Sequence, residues 1–140
     1  VLSEEMSYGM NKLSAYGKFQ TNANVIKNEF LAFLLEKNKS NRKVVAYGAA
    51  AKGNTLLNYA GVKPDLMPCI FDAAAAKQNR YMPGSHIPIL PPSELANMKP
   101  DYIVILPWNI AGEVMEQLSC VKEWGGKFVT AVPAMKEQGY

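Results

Sequence analysis

The chain is poor in the residues that most often carry chemistry. It has two cysteines, Cys69 and Cys120, and one histidine, His86. Together these cannot assemble a four-ligand zinc site in any recognised spacing. The cysteines fall in a predicted strand and a predicted helix, where reduced, partly buried thiols act as small hydrophobes. No signal peptide is present, and no apolar run is long enough to cross a bilayer, so a cytoplasmic protein with no membrane partner is expected. Charge of one sign is missing too: 15 basic against 12 acidic residues leave a net +3. The cations are scattered rather than striped, which argues against nucleic acid as a partner. There are no internal repeats, and no low-complexity segments beyond two alanine runs. An initiator methionine is also lacking, and the chain moves quickly from Val1 into a helix, which predicts a piece of something longer.

What is present is ordinary for a soluble globular protein: 49% hydrophobic and 19% charged residues in 140. A chain of that size buries roughly 70% of its unfolded surface, enough for one domain with a real core.

The most informative stretch is Lys43–Gly61, KVVAYGAAAKGNTLLNYAG. Val44 and Val45 open a buried strand ending near Tyr47. Gly48 to Gly53 is a small-residue turn carrying one cation, Lys52. Asn54 or Thr55 can cap the following helix, whose apolar face is Leu56, Leu57 and Tyr59. Strand, glycine turn, helix is the layout that aims backbone N–H groups and a helix N-terminus at an anion. The spacing is not G-x-G-x-x-G, and Lys52 precedes Gly53, so it is not a P-loop either. The competing reading is a tight strand–helix junction whose glycines serve packing alone.

Upstream, Tyr16, Phe19, Ala23, Ile26, Phe30 and Phe33 recur every three or four residues, predicting a long helix over about 11–37. Gly17 weakens its early part, and Asn38 to Asn41 end it. Residues 1–40 are thus a connecting segment and long helix, and 41–140 the main domain. Downstream, Gly61 to Asp65 is a turn, and Leu66 to Phe71 reads as a second strand ending in Asp72. That position often holds a ribose hydroxyl; alternatively Asp72 caps a short helix over Ala73 to Ala76. Lys77 to Leu90 is irregular, with an edge strand near Ile87-Pro88-Ile89. A loop combining Lys, Arg, Tyr and His after the second strand faces a ligand in many folds; His86 is kept as a binding candidate, not a base.

Pro91 to Met98 is a short helix that Ser93 can cap. Asp101 to Leu106 is a continuous apolar run of the kind central parallel strands show. It stops at Pro107-Trp108-Asn109, on the same sheet edge as Gly48. Trp108 can stack on a planar base or sugar face, and Asn109 can cap the next helix or bond a ligand. That helix runs from Ile110 to Trp124, Gly125-Gly126 end it, and Lys127 to Ala131 is the last strand before a polar tail. The order predicts an α/β, Rossmann-like, mostly parallel sheet of about five strands with helices on both faces, preceded by the long helix.

Three motifs go beyond the fold: Ala46-Tyr47-Gly48-Ala49-Ala50-Ala51-Lys52-Gly53-Asn54-Thr55, Pro83-Gly84-Ser85-His86-Ile87-Pro88-Ile89 and Leu106-Pro107-Trp108-Asn109. In that order and spacing the chain, from about Lys12 to Pro133, resembles the C-terminal domain of bacterial sugar-nucleotide C-methyltransferases. The resemblance implies a longer enzyme with an N-terminal zinc domain and a middle domain that binds S-adenosylmethionine. The third domain then packs over the active site and helps hold a dTDP-linked keto-deoxysugar. In such enzymes a base removes the proton beside the ketone, and the enolate attacks the methyl group. Base and methyl donor lie in the middle domain, so this chain is expected to hold no cofactor, no metal and no catalytic residue.

Carried over by motif, Tyr47, Gly48, Ala49, Ala50, Lys52, Gly53 and Asn54 form the turn facing phosphate, with Lys52 as counter-charge. Asp72 and Lys77 line the next loop. His86, Trp108 and Asn109 face the sugar or base across the cleft. Asn79 stands where the family usually has glycine, a place for a left-handed backbone that Asn tolerates. Two other readings compete: a free-standing dinucleotide- or CoA-binding module, and a structural or dimerisation domain.

Overall fold

A computed structural model describes residues 22–132 and 135–138. The first described helix, α1, occupies residues 22–39. Phe30 and Leu34, one turn apart, are fully buried, and Ile26 and Phe33 pack beside them. Phe33 meets Tyr102 edge-on, with ring centroids 5.3 Å apart. The helix ends where Asn41 takes a left-handed backbone, φ 59°, which Asn adopts at lower cost than most residues. The expected stretch 11–21 of this helix, with Tyr16, Gly17 and Phe19, lies outside the described residues.

Six strands form one sheet: β1 Val44–Tyr47, β2 Ile70–Phe71, β3 Ile89–Leu90, β4 Tyr102–Ile105, β5 Lys127–Thr130 and β6 Lys136–Gln138. The order is β3-β2-β1-β4-β5-β6. Neighbours from β3 to β5 pair parallel, and β6 pairs antiparallel with β5. Strand alternation sorts the core into two layers. Val44 and Ala46 face α1 and α2 (Ala51–Ala60), together with Leu56, Leu57 and Ile70. Val45 and Tyr47 face the other side, with Leu95 of α3 (Leu95–Met98) and Val114 of α4 (Ala111–Gln117). Helices therefore cover both faces, as the alternating pattern predicts.

Several boundaries differ from the sequence reading. The second strand shrinks to Ile70–Phe71, because Pro68 has no N–H to give and the amides of Leu66 and Met67 turn back to the Lys63 carbonyl. Ala73 to Ala76 is a turn rather than a helix. The helix expected over Ile110 to Trp124 is three pieces: a 3₁₀ turn Trp108–Ile110, α4, and a 3₁₀ segment Ser119–Trp124. The tighter winding aligns residues three apart, which buries Val121 and lets the Trp124 indole donate to the Pro100 carbonyl at 2.9 Å. The polar tail supplies β6, held by Gln138 Nε2 donating to Thr130 Oγ1 at 2.8 Å. Cys69 is buried as expected, but Cys120 is exposed on the 3₁₀ segment. No helix among the described residues is long and apolar enough to cross a membrane.

Candidate functional site

The order β3-β2-β1-β4-β5 reverses direction between β1 and β4, and ligands of open α/β sheets bind at that reversal, outside the carboxyl ends of the strands. There the chain leaves β1 through Gly48, at φ 97°. A Cβ on Gly48 would lie 2.5 Å from Pro107 Cδ, so both the backbone angle and the neighbouring loop demand glycine. The N–H of Gly48 donates to the Phe71 carbonyl at 2.8 Å.

The next residues are held from the side by Asp72. Its carboxylate accepts from the Ala49 N–H and the Ala74 N–H, both at 2.8 Å. The Lys77 ammonium donates to the Ala49 carbonyl at 3.1 Å and lies 3.8 Å from the same carboxylate. The Gln78 amide closes the set on the Asp72 carbonyl. Asp72 therefore caps the turn that follows it and also ties that turn to the β1–α2 loop. Its charge, after burial itself, raises the pKa of the Tyr47 phenol above the ordinary value. Asn79 has φ 63°, the left-handed backbone that the sequence reading expected there.

Helix α2 begins at Ala51, earlier than the sequence suggested, so Asn54 and Thr55 are inside it rather than at its cap. Ala50 stands at the N-cap and supplies no side-chain bond. The helix thus presents N–H groups that no side chain satisfies. Gly53 is buried in the first turn, where a Cβ would come within 2.7 Å of Leu106 Cβ; this glycine serves close helix–sheet packing. Lys52 reaches the other way, with its ammonium 5.9 Å from the centre of the Trp108 ring.

Two cavities flank this terminus. One, of ≈ 360 Å³, lies between Ala49–Ala51 and Asn54 on one side and Ala76, Lys77, Arg80, Tyr81, Met82, Pro83 and Ile89 on the other. The second, of ≈ 420 Å³, lies beyond Trp108 and is lined by Ala111, Thr130, Val132, Met135, Lys136 and Gln138. Gly48 to Asn54, Asp72 and Lys77 are thus gathered around one helix end, with Trp108 facing Lys52, whereas the Tyr47 side chain is buried in the α3/α4 layer on the other face of the sheet. His86 and Asn109 stand apart. The imidazole is exposed, with φ 61°, and stacks flat on the Tyr81 ring at 4.3 Å between centroids rather than lining the cavity. Asn109 is exposed and caps no helix, since Pro107 and Ile110 occupy the N-cap positions without side-chain bonds.

Arg80, Tyr81, Met82, Pro83 and Ile89 were not named as site residues from the sequence, although Pro83 and Ile89 bound one of the three motifs. The mixed Lys-Arg-Tyr-His composition of their loop was the signal that pointed there. Among the described residues no group of three or more His, Cys, Asp or Glu side chains could hold a metal ion.

The model of the C-methyltransferase C-terminal domain matches residues 1–133. The chain belongs to that family. Across 133 residues this C-methyltransferase C-terminal domain is 30% identical to C-methyltransferase NovU of Streptomyces niveus. The match covers 95% of the chain but 32% of NovU, so the chain spans about a third of that relative's length. Among solved structures the domain is similar to UDP-D-quinovosamine 4-dehydrogenase of Vibrio fischeri, with TM-score 0.53 over 70% of this chain and 93% of that one. At 17% identity that likeness shows the Rossmann-like fold alone.

Proposed function

We propose that the domain binds the nucleotide-sugar substrate of an S-adenosylmethionine-dependent sugar C-methyltransferase and completes its substrate cleft. The observation that carries this reading is the uncapped N-terminus of α2, opening onto the ≈ 360 Å³ cavity at the carboxyl edge of the sheet, with Lys52 reaching towards Trp108 at the rim of the second cavity. A diphosphate laid across Ala50 to Lys52 meets free N–H groups, the positive end of the helix dipole and one ammonium. Asp72 and Lys77 hold the loop in register, and Trp108 offers its ring to the sugar end.

In this reading the methyl donor, the base and any zinc belong to other domains of the same cytoplasmic protein, and no residue here is catalytic. The chain would act by binding, by orienting a dTDP-type sugar and by closing the cleft. A dinucleotide reading fits less well, because a ribose diol would compete for Asp72 with two main-chain donors at 2.8 Å.

Calorimetric titration with dTDP, S-adenosylmethionine and NAD tests the proposal. Expected is binding of dTDP alone, weakened about tenfold by Lys52→Ala, as loss of one cation from a helix-terminus site implies. Binding of NAD in place of dTDP would overturn it.

A further inference from the structure

Asn54 carries a feature that the phosphate contacts do not use. Its side-chain oxygen Oδ1 is buried, and no described residue donates to it. A buried acceptor without a donor costs roughly 1–3 kcal/mol. Asn54 is also the polar residue that α2 contributes to the wall of the ≈ 360 Å³ cavity. Opposite it stand Tyr81, Met82, Pro83 and Ile89, a flat ring and three apolar side chains. Tyr81 is fixed by the imidazole stacked on it and remains 57% exposed. Arg80 forms no ion pair among the described residues, which leaves a cation at the same wall for phosphate.

Apolar walls, one aromatic ring and one amide suit a planar heterocycle better than a polyhydroxylated sugar. The sugar would leave the apolar walls facing hydroxyl groups and the amide one partner among many. The volume lies at the low end of the roughly 300–1,000 Å³ found for ligand cavities, which suits one part of a nucleotide-sugar. As it stands Oδ1 has almost no accessible surface, so Asn54 presents its acceptor beside its donor to the cavity by turning about its last side-chain bond. The complementary edge is a donor beside an acceptor. The amino edge of adenine offers one, as does the N–H and carbonyl of a thymine- or uracil-type imide, and the dTDP-type ligand of the reading above selects the imide.

Resting on the nucleotide-sugar reading above, we infer that this cavity takes the pyrimidine end of the ligand and that Asn54 reads its imide edge. The ligand is thereby given a direction: base between Asn54 and Tyr81, diphosphate over Ala50 to Lys52, sugar towards Trp108. His86 acts on the site by bracing Tyr81.

The test compares three ligands by equilibrium titration of this chain: dTDP, its N3-methyl analogue and inorganic pyrophosphate. The methyl group removes the donor and leaves the phosphates unchanged. The wild-type chain is expected to bind the N3-methyl analogue at least tenfold more weakly than dTDP. Asn54→Ala is expected to bind the two nucleotides equally and pyrophosphate as the wild type does, which also shows that the variant is folded. Tyr81→Ala weakens dTDP but not pyrophosphate. Equal binding of dTDP and its N3-methyl analogue by the wild type would overturn the inference while the nucleotide reading stood. Failure of both dTDP and pyrophosphate to bind would overturn that reading and the inference together.

Discussion

The loop after β1 and the loop after β4 lie side by side at the sheet edge, yet they are built differently. The first is tied down. Gly48 is bonded to Phe71, Ala49 to Asp72 and Lys77, and the carboxylate also secures Ala74. The second, Pro107 to Ile110, is stitched mainly to itself, through Trp108 N–H to the Leu106 carbonyl and Ile110 N–H to the Pro107 carbonyl. It offers Asn109 and the 41%-exposed Ile110 to solvent. A preset loop suits phosphate, whose recognition needs N–H groups held in place before the ligand arrives. A half-buried ring and an exposed apolar side chain suit contacts whose geometry is set by whatever covers them. Where the two loops touch, Gly48 against Pro107, the difference can be tested.

Gly48→Ala should break the comparison most severely. It adds a Cβ 2.5 Å from Pro107 Cδ at φ 97°. Left-handed strain of about 1–2 kcal/mol and overpacking of about 1–3 kcal/mol act together. Chemical denaturation should report a loss of about 2–5 kcal/mol, and a variant as stable as the parent would show that the loops are free to part. Asp72→Ala comes next, at about 1–3 kcal/mol, because two N–H groups lose their acceptor. The same change should lower the Tyr47 phenol pKa, read by ultraviolet titration, since the carboxylate is one of the two causes that raise it.

A pH-dependent effect is expected away from both loops, at Cys69 just before β2. Burial pushes the Cys69 thiol up to about 12 from 9.0. Below pH 9 the thiol is protonated in both folded and unfolded chains. Between about 9 and 12 only the unfolded chain gives up its proton, so stability falls as pH rises, by up to about 1.4 kcal/mol per pH unit. Denaturation curves from pH 8 to 11 should show this decline, and Cys69→Ala should flatten it. Least of all, Asn109→Ala should change stability by no more than about 0.5 kcal/mol, as for an exposed side chain that caps nothing. A larger loss would place the second loop in the same class as the first.

Much of this arrangement was legible in the sequence. The β1 run, the continuous apolar β4 and the periodic α1 face report their own environment, because burial dictates their composition residue by residue. The Gly48 turn was legible from its run of small residues, and the left-handed position at Asn79 only through the family resemblance. Less legible were elements whose existence depends on a partner. β6, Lys136–Gln138, is polar and mostly exposed, and becomes a strand only because β5 offers it an open edge. Thr55 had the composition of a cap, but its hydroxyl donates to the Ala51 carbonyl inside the helix.

Local pattern by itself determined the parallel α/β layout, the strand–turn–helix at Gly48 and the placing of Lys52 and Trp108 on one edge. It could do so because strand period, helix period and glycine punctuation are properties of neighbouring residues. Tertiary structure decided which of two roles each ambiguous side chain took. Asp72 holds main-chain N–H groups because Ala49 is brought to it across the sheet edge. Gly53 is required by Leu106, more than fifty residues away in sequence. His86 stacks on Tyr81 because residues 82–87 fold back on themselves, the Met82 N–H donating to the Ile87 carbonyl at 2.8 Å. Each outcome depends on a contact between residues that the chain order separates, and periodicity carries no record of such contacts.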